Sequence, residues 1–352
     1  MVRKFLIILI LLFGYASLSL AQKNAESNCS SELSFLTNKV KQNYAGFQDK
    51  TQNRVAELQA LTDSLSSATK KVSNSAQCTR LLKKWIDFFD DSHLWLQSEN
   101  KEKKNDTEPA KATSNPSLKY LDKQTAYMRI SSFSLKYKSS IDSLLNANWN
   151  KLIHTPKFII DIRDNAGGGD PSFAKLLPLI YTNPYELKGV EVRATHDNIK
   201  HFSSLVKRDE FSESIKKELR EIVKRMRGNE GTFVTIAEDH IVRRDTTYDN
   251  PKHVAILIDG GVYSSAEQFL INAKHSNKTT VFGNPTGGAI DYANLNIMEL
   301  PSGFRKVGIP TTRSRRLPEN PIDQSGIAPD VLIPKDVQNW ISFTRGYLMG
   351  KN

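Results

Sequence analysis

The sequence has very little cysteine and none of the short motifs that bind metals. Cys29 and Cys78 are its only cysteines in 352 residues, so no CxxC pair exists, and no HExxH segment occurs. Structural and catalytic zinc sites usually take their ligands from such closely spaced residues. We therefore expect neither a metal site nor a cofactor.

Long hydrophobic runs are scarce as well. One such run, Phe5 to Leu20, follows the basic pair Arg3-Lys4 and ends in a small residue, Ala21. A basic start, an apolar middle and a small-x-small end are typical of a signal peptide. We expect cleavage after Ala21 and a periplasmic or extracellular protein, with an uncleaved N-terminal anchor as the alternative. No later segment is apolar enough to suggest a membrane span.

Acidic residues are outnumbered by basic ones, which gives a formal net charge of +11. The basic residues are spread along the chain and mixed with acids, and no basic–aromatic motif for reading bases is present. Since nucleic-acid sites concentrate their positive charge, we expect a solvated basic surface and no nucleic-acid partner.

Export would place Cys29 and Cys78 in an oxidising compartment. A bridge between them would join two N-terminal helices and stabilise the fold by about 3–4 kcal/mol in the loop-entropy model. Two unpaired thiols are the alternative.

The pattern of apolar residues divides the chain into four parts. After the signal peptide (1–21), apolar residues three and four apart predict an N-terminal helical domain (22–96). A polar, charged stretch (97–116) is typical of a linker. The remainder (117–352) alternates strands and helices, which indicates an α/β core with a largely parallel sheet. Within it, a long charged helix, Phe202–Met226, makes the segment from about 196 to 250 a candidate lid, with an ordinary surface helix as the alternative.

The stretch VAILIDGGVYSSAEQF, residues 254–269, has the pattern of a buried strand, a glycine-rich turn and a helix. This geometry presents a nucleophile, because the turn directs one hydroxyl outward beside the free N–H groups of the first helical turn. Two adjacent serines, Ser264 and Ser265, open the helix, and we interpret Ser264 as a candidate hydrolase nucleophile.

A second glycine-rich turn, residues 165–169, follows another predicted strand, KFIIDIR. If both turns end parallel strands of one sheet, they face the same crevice, and one can donate N–H groups to an oxyanion at the other. No Walker-type Lys-Ser/Thr follows, which argues against a phosphate loop. The alternative is that both are simply tight turns.

A serine nucleophile needs a base, and seven histidines are available. His93 stands out because it follows a predicted helix in the compact polar segment Asp90-Asp91-Ser92. A lysine could serve instead, and composition alone does not choose between them.

Six motifs in chain order resemble those of the C-terminal processing, or tail-specific, serine peptidases. They extend from about Trp85 to Pro334 and are DDSHLWL, TAYMRISSF, FIIDIRDNAGGG, LIDGGVYSSAEQF, GNPTGG and SGIAPDVLIP. The resemblance implies a crotonase-like α/β core with a mixed sheet. It also implies Ser264 as the nucleophile, with N–H groups of Ser265 and of Gly167 or Gly168 as the oxyanion hole.

The resemblance also bears on the base. The lysine-dyad branch of the family carries its lysine directly after the T-x-G motif, where this chain has Ala289. The tricorn-like branch instead uses a histidine and an acid, and the matching positions here are His93, Ser92 and Asp323, although the branch usually has Glu in place of Asp323. The resemblance gives Glu267 and Thr286 supporting roles.

About 30 residues separate His93 from the predicted strand at Thr125, too few for the PDZ domain that many members carry between these motifs. We therefore expect an exported serine endopeptidase without a PDZ domain, acting on a protein or peptide substrate. The alternatives are a non-catalytic module of the same fold that binds peptides or hydrophobic ligands, and a scaffold protein that uses the basic surface.

Overall fold

The computed structural model describes residues 29–98, 115–209 and 211–350. The predicted signal peptide and most of the predicted linker lie outside these residues. The chain forms two compact units, each built from three segments. The first unit comprises Met1–Lys103, Glu191–Ile236 and Asn294–Arg313, and the second comprises Lys104–Val190, Ala237–Ala293 and Ser314–Asn352. The predicted domain boundary at residues 97–116 stays a prediction.

The α-helices of the described residues range in length from 4 to 15 residues. In chain order they are α1 (29–43), α2 (Phe47–Thr51), α3 (Val55–Thr69), α4 (Ser75–Ile86), α5 (Lys138–Leu152), α6 (Leu177–Ile180), α7 (His196–Leu205), α8 (Glu213–Arg227), α9 (Ser265–Ala273) and α10 (Trp340–Met349). No helix in this described part of the chain combines the length and the apolar character needed to cross a bilayer.

The strands form a six-stranded sheet, a five-stranded sheet and a small two-stranded sheet. They are β1 (Trp95–Ser98), β2 (Ser117–Tyr120), β3 (Thr125–Arg129), β4 (Lys157–Asp161), β5 (Tyr185–Leu187), β6 (Val190–Arg193), β7 (Phe233–Ala237), β8 (His240–Val242), β9 (His253–Ile258), β10 (Thr279–Gly283), β11 (Tyr292–Glu299), β12 (Arg305–Ser314) and β13 (Val331–Leu332).

The six-stranded sheet organises the second unit, with the strand order β13-β10-β9-β4-β3-β2. All neighbours are parallel except β2 and β3, which are antiparallel, so the sheet is mixed. Strands β4 and β9 are central and bury both faces, as their continuous apolar sequence predicts. Phe158 and Ile160 face a core with α5 and α9, while Ile159 faces the core on the side of α10.

The first unit contains α1 to α4, α7, α8 and the five-stranded sheet. A disulfide joins Cys29 to Cys78, so the predicted bridge between α1 and α4 is present. Beside it, the buried Arg305 guanidinium forms an ion pair with Glu32 of α1 and donates to Thr79 Oγ1 of α4 at 2.8 Å. The helical N-terminal region and the mixed α/β core confirm the predicted fold class.

The single helix predicted for Phe202–Met226 is wrong. Helix α7 ends at Leu205, and α8 starts after Ser212, whose side chain accepts the N–H of Ile215 and so caps a new helix. Both helices pack on a core with β6 and β7. A role of this segment as a lid stays a prediction.

Candidate active site

Ser264 lies at the junction of the central strand β9 and helix α9. Its backbone has φ 56° and ψ −125°, a conformation that a residue with a side chain adopts only when its surroundings enforce it. Such a strained strand-to-helix turn is how a nucleophile elbow exposes its hydroxyl. Ser264 is half-buried, so the sequence pattern, the backbone and the exposure agree on a presented side chain.

The two glycine-rich turns meet at the carboxyl edge of the sheet, because β4 and β9 are parallel neighbours. The Asp259 carboxylate joins them: its Oδ1 accepts the N–H of Asp164 at 2.9 Å and that of Gly261 at 3.0 Å. In addition, Tyr263 N–H donates to the Asn165 carbonyl at 3.1 Å. The residues flanking both turns are therefore fixed to each other.

Gly167 packs directly against the elbow. A Cβ at this position would lie 2.9 Å from Ser264 Cβ and 3.0 Å from Ser265 N, closer than a side chain can be accommodated. Gly167 also has φ +93°, in the region that favours glycine. The elbow can approach the second turn only because this residue has no side chain.

The N–H groups around the elbow differ in availability. Gly167 N–H donates to Asn165 Oδ1 at 2.9 Å, so it is already satisfied. Within the described residues, the N–H groups of Gly168 and Ser265 donate to no acceptor. Of the alternatives Gly167 and Gly168, Gly168 is the one whose N–H has no acceptor among the described residues, and the oxyanion hole itself stays a prediction. The sequence did not reveal this, because the competing acceptor is a side chain two residues away.

Glu267 is fully buried and receives four hydrogen bonds. Its Oε2 accepts the N–H of Ser264 at 3.0 Å and that of Ala289 at 2.9 Å. Its Oε1 accepts the N–H of Gly288 at 2.9 Å and the Thr286 hydroxyl at 2.5 Å. One carboxylate therefore ties the elbow to the segment 286–289, which is consistent with the supporting roles that the resemblance gave to Glu267 and Thr286.

Asp323 lies in the second unit with Ser264. Its Oδ1 accepts the N–H of Ile290 at 2.7 Å and that of Asp291 at 2.8 Å, which fixes the segment directly after Ala289. Asp291 was not recognised in the sequence, although the reverse contacts, from the N–H groups of Ile322 and Asp323 to Asp291 Oδ2, measure 2.7 and 2.8 Å. The role of Asp323 in a catalytic relay stays a prediction.

His93 and Ser92 belong to the first unit, in the turn between α4 and β1. The buried Asp91 holds this turn: its Oδ1 accepts the His93 N–H at 2.8 Å, and its Oδ2 accepts the Tyr44 hydroxyl at 2.6 Å. Burial raises the pKa of the Asp91 carboxyl, and the hydrogen bonds from Tyr44 and His93 oppose this rise. Asp91 is a further residue that sequence reasoning missed, despite its place within DDSH.

Comparison with known proteins identifies the family. The sequence profile of peptidase family S41 matches residues 124–333, more than half of the 352 residues. This chain belongs to peptidase family S41. The match confirms the resemblance drawn from the six motifs. It covers Ser264, both glycine-rich turns, Glu267 and Asp323, and it begins after His93.

Solved structures share the fold of this S41 peptidase at low sequence identity. A protein from Parabacteroides merdae is 17% identical with a TM-score of 0.61, over 92% of this chain and 98% of that one. Mature CPAF in complex with lactacystin is 12% identical with a TM-score of 0.63, over 88% and 94%. A lipoprotein from Streptococcus agalactiae is 15% identical with a TM-score of 0.54, over 92% and 97%. Among curated proteins, a sequence search finds no match.

Proposed function

We propose that this S41 family member is an exported serine endopeptidase in which Ser264 forms an acyl-enzyme and His93 is the general base. The observation that carries the proposal is the Ser264 elbow itself. The backbone of Ser264 is strained, and the N–H groups of Ser265 in the same turn and of Gly168 in the neighbouring glycine-rich turn have no acceptor among the described residues. A tetrahedral intermediate on Ser264 would place its oxyanion where such donors are useful.

In the proposed reaction, His93 removes the proton from the Ser264 hydroxyl as the oxygen attacks the scissile carbonyl carbon. The C–N bond then breaks, and the imidazolium returns the proton to the leaving amine. Water, deprotonated by His93, then attacks the ester carbonyl carbon, the bond to the Ser264 oxygen breaks, and the imidazolium returns the proton to that oxygen as the acid product leaves. Ser92 and Asp323 would orient the imidazole and stabilise its charged form. Because Ala289 stands where the dyad branch has lysine, a Ser–Lys mechanism has no candidate base at that position.

Export is supported by the signal-like N-terminus and by the disulfide between Cys29 and Cys78. The proposed cleavage after Ala21 predicts Gln22 as the first residue of the mature protein. N-terminal sequencing of the protein recovered from the secreting host tests this directly, and an intact Met1 would support the anchored alternative.

A fluorophosphonate probe tests the nucleophile. It should label the wild type and not Ser264→Ala, while Ser342→Ala, which changes an exposed serine of α10 in the same unit, should label normally. If Ser264→Ala were labelled as strongly as the wild type, Ser264 would not be the nucleophile.

Hydrolysis of a peptide library, followed by mass spectrometry, tests the base. We expect His93→Gln to lose about 10³-fold or more in kcat/KM. The matched control is His154→Gln, at an exposed histidine whose Nδ1 lies 2.6 Å from Asn150 O. A wild type that binds peptides or hydrophobic ligands but neither labels nor hydrolyses would favour the non-catalytic module.

A further inference from the structure

Asp291 and Asp323 form a reciprocal pair, which we call the carboxylate clasp. Each carboxylate accepts two backbone N–H groups from the segment that carries the other, and all four N···O distances lie between 2.7 and 2.8 Å. The clasp therefore holds the segment 290–291 against the segment 322–323. Both segments belong to the second unit.

The clasp also brings two carboxyl groups together. Asp291 is 1% exposed, and Asp323 is half-buried. Two carboxylates that share such a site raise the pKa of one of them unless a positive charge balances the pair. The fully buried Glu267, which binds Ala289, adds a third carboxylate nearby.

Arg316 supplies a positive charge at this place. Its Nη2 lies 3.1 Å from Asp291 Oδ1, and its side chain is 12% exposed. Its Nη1 is buried without a hydrogen-bond partner among the described residues. Burial lowers the pKa of the guanidinium, and attraction by Asp291, Asp323 and Glu267 opposes that change. The pKa of Arg316 remains below its ordinary value, so attraction to these acids offsets only part of the cost of burying this cation.

The clasp is connected to Ser264 through one short segment. Arg316 Nη2 lies 3.5 Å from the carbonyl oxygen of Ile290. The carbonyl oxygen of the preceding residue, Ala289, accepts a hydrogen bond from the Ser264 N–H, with an N···O distance of 3.1 Å. A shift of the segment 289–291 would therefore move a direct contact of the elbow.

We propose that Arg316 is a positioning residue for the reaction of Ser264. Its charge balances the carboxylate clasp and holds the segment 289–291 against the elbow. This inference rests on the proposed function, in which an ionised Asp323 supports the imidazolium of His93. It adds a residue that lies outside the six sequence motifs.

The pH profile of kcat/KM tests the proposal. In Arg316→Gln, the clasp has lost its balancing cation, so one clasp carboxylate should bind a proton at higher pH. We expect the acidic limb of the profile to move to higher pH by about one unit. At a given pH on that limb, kcat/KM should therefore fall about tenfold. Arg316→Lys should keep the wild-type limb. The matched control is Arg315→Gln, because Arg315 pairs with Glu238 and Asp239 instead.

A second variant separates charge balance from packing. Asp291→Asn in the Arg316→Gln background leaves a single clasp carboxylate and removes its repulsion by the second one, so the acidic limb should return to within about 0.3 pH units of the wild type. An unshifted limb in Arg316→Gln, or an equal shift in Arg316→Lys, would overturn the proposal. So would a double variant that keeps the full shift.

Thermal melting provides a second test that does not depend on enzymatic activity. The melting temperature of Arg316→Gln should fall furthest below the wild type near pH 8, and the gap should narrow toward pH 5 as one carboxylate is protonated. The double variant should show a smaller gap that does not vary with pH. A pH-independent gap in Arg316→Gln overturns the inference, whereas a wild type that fluorophosphonate does not label refutes the proposed function alone.

Discussion

The backbone N–H of Ser264 donates to the buried carboxylate of Glu267, three residues further along helix α9, over 3.0 Å. The same carboxylate accepts the N–H groups of Gly288 and Ala289. The strained elbow is therefore held by one buried anion that also fixes the neighbouring loop. Because Ser264 has positive φ, contacts of this kind must offset the strain of its backbone.

Replacement of Glu267 by Gln should destabilise the fold and inactivate the enzyme. The amide would present two N–H donors where the carboxylate accepts from four donors, so at least one buried N–H loses its acceptor. We expect a loss of about 3 kcal/mol in the free energy of unfolding, measured by urea denaturation, and loss of fluorophosphonate labelling. Glu319→Gln, at an exposed position of the same unit, is the control and should change neither. Wild-type labelling of Glu267→Gln would show that the elbow does not depend on this anion.

Gly167→Ala should abolish activity through crowding of the elbow. The new Cβ would lie 2.9 Å from Ser264 Cβ, so the elbow or the second turn must move. Gly231→Ala is a close control, because Gly231 has φ +91° against +93° for Gly167, and a Cβ there would meet nothing within 4 Å. Both changes introduce about 1 kcal/mol of backbone strain. Only Gly167→Ala should lose about 100-fold or more in kcat/KM, and equal losses in both variants would assign the effect to strain alone.

Removal of the disulfide should destabilise the first unit. The bond closes a loop with a sequence separation of 49 residues, for which the loop-entropy model gives about 4 kcal/mol. We expect the variant Cys29→Ala/Cys78→Ala to melt at a lower temperature than the wild type. Reductant should lower the melting temperature of the wild type and leave the double variant unchanged. A wild type that does not respond to reductant would mean that the bond contributes little beyond the Arg305–Glu32 ion pair beside it.

Asp170 should make stability depend on pH. The residue itself is exposed, but partial desolvation of its carboxyl raises the pKa to about 6, above the ordinary value of about 3.9. Since the folded state holds the proton more tightly than the unfolded state, this group favours folding at low pH, and the benefit is lost as pH rises from about 4 through 6. Asp170→Asn removes the cost of ionisation. It should be more stable than the wild type at pH 7, by about 1 kcal/mol after screening by solvent, and equally stable below pH 4. Denaturation curves at both pH values measure the difference in stability between the variant and the wild type. An equal difference at both pH values would show that titration of Asp170 is not its cause.

Local sequence patterns were sufficient for the framework of the second unit. The segments 158–160 and 254–258 are apolar at successive positions, which predicts strands buried on both faces, and β4 and β9 are such strands. The long helix predicted for Phe202–Met226 failed, because charged residues continue through the break between α7 and α8. The spacing of the charged residues is therefore not enough to show that one helix ends here and that Ser212 starts another.

By itself, the sequence determined the family, the mixed α/β class and Ser264 as the residue at the elbow. Each of these depends on residues that are neighbours in the chain, where spacing and side-chain type carry the information. Tertiary structure alone decided that Asn165 occupies the Gly167 N–H and leaves that of Gly168 available. It also revealed the pairing of Asp291 with Asp323 and the place of Arg316 beside them. The partners in that clasp come from segments about 30 residues apart, and no periodic pattern predicts which donors a buried carboxylate meets once the chain has folded.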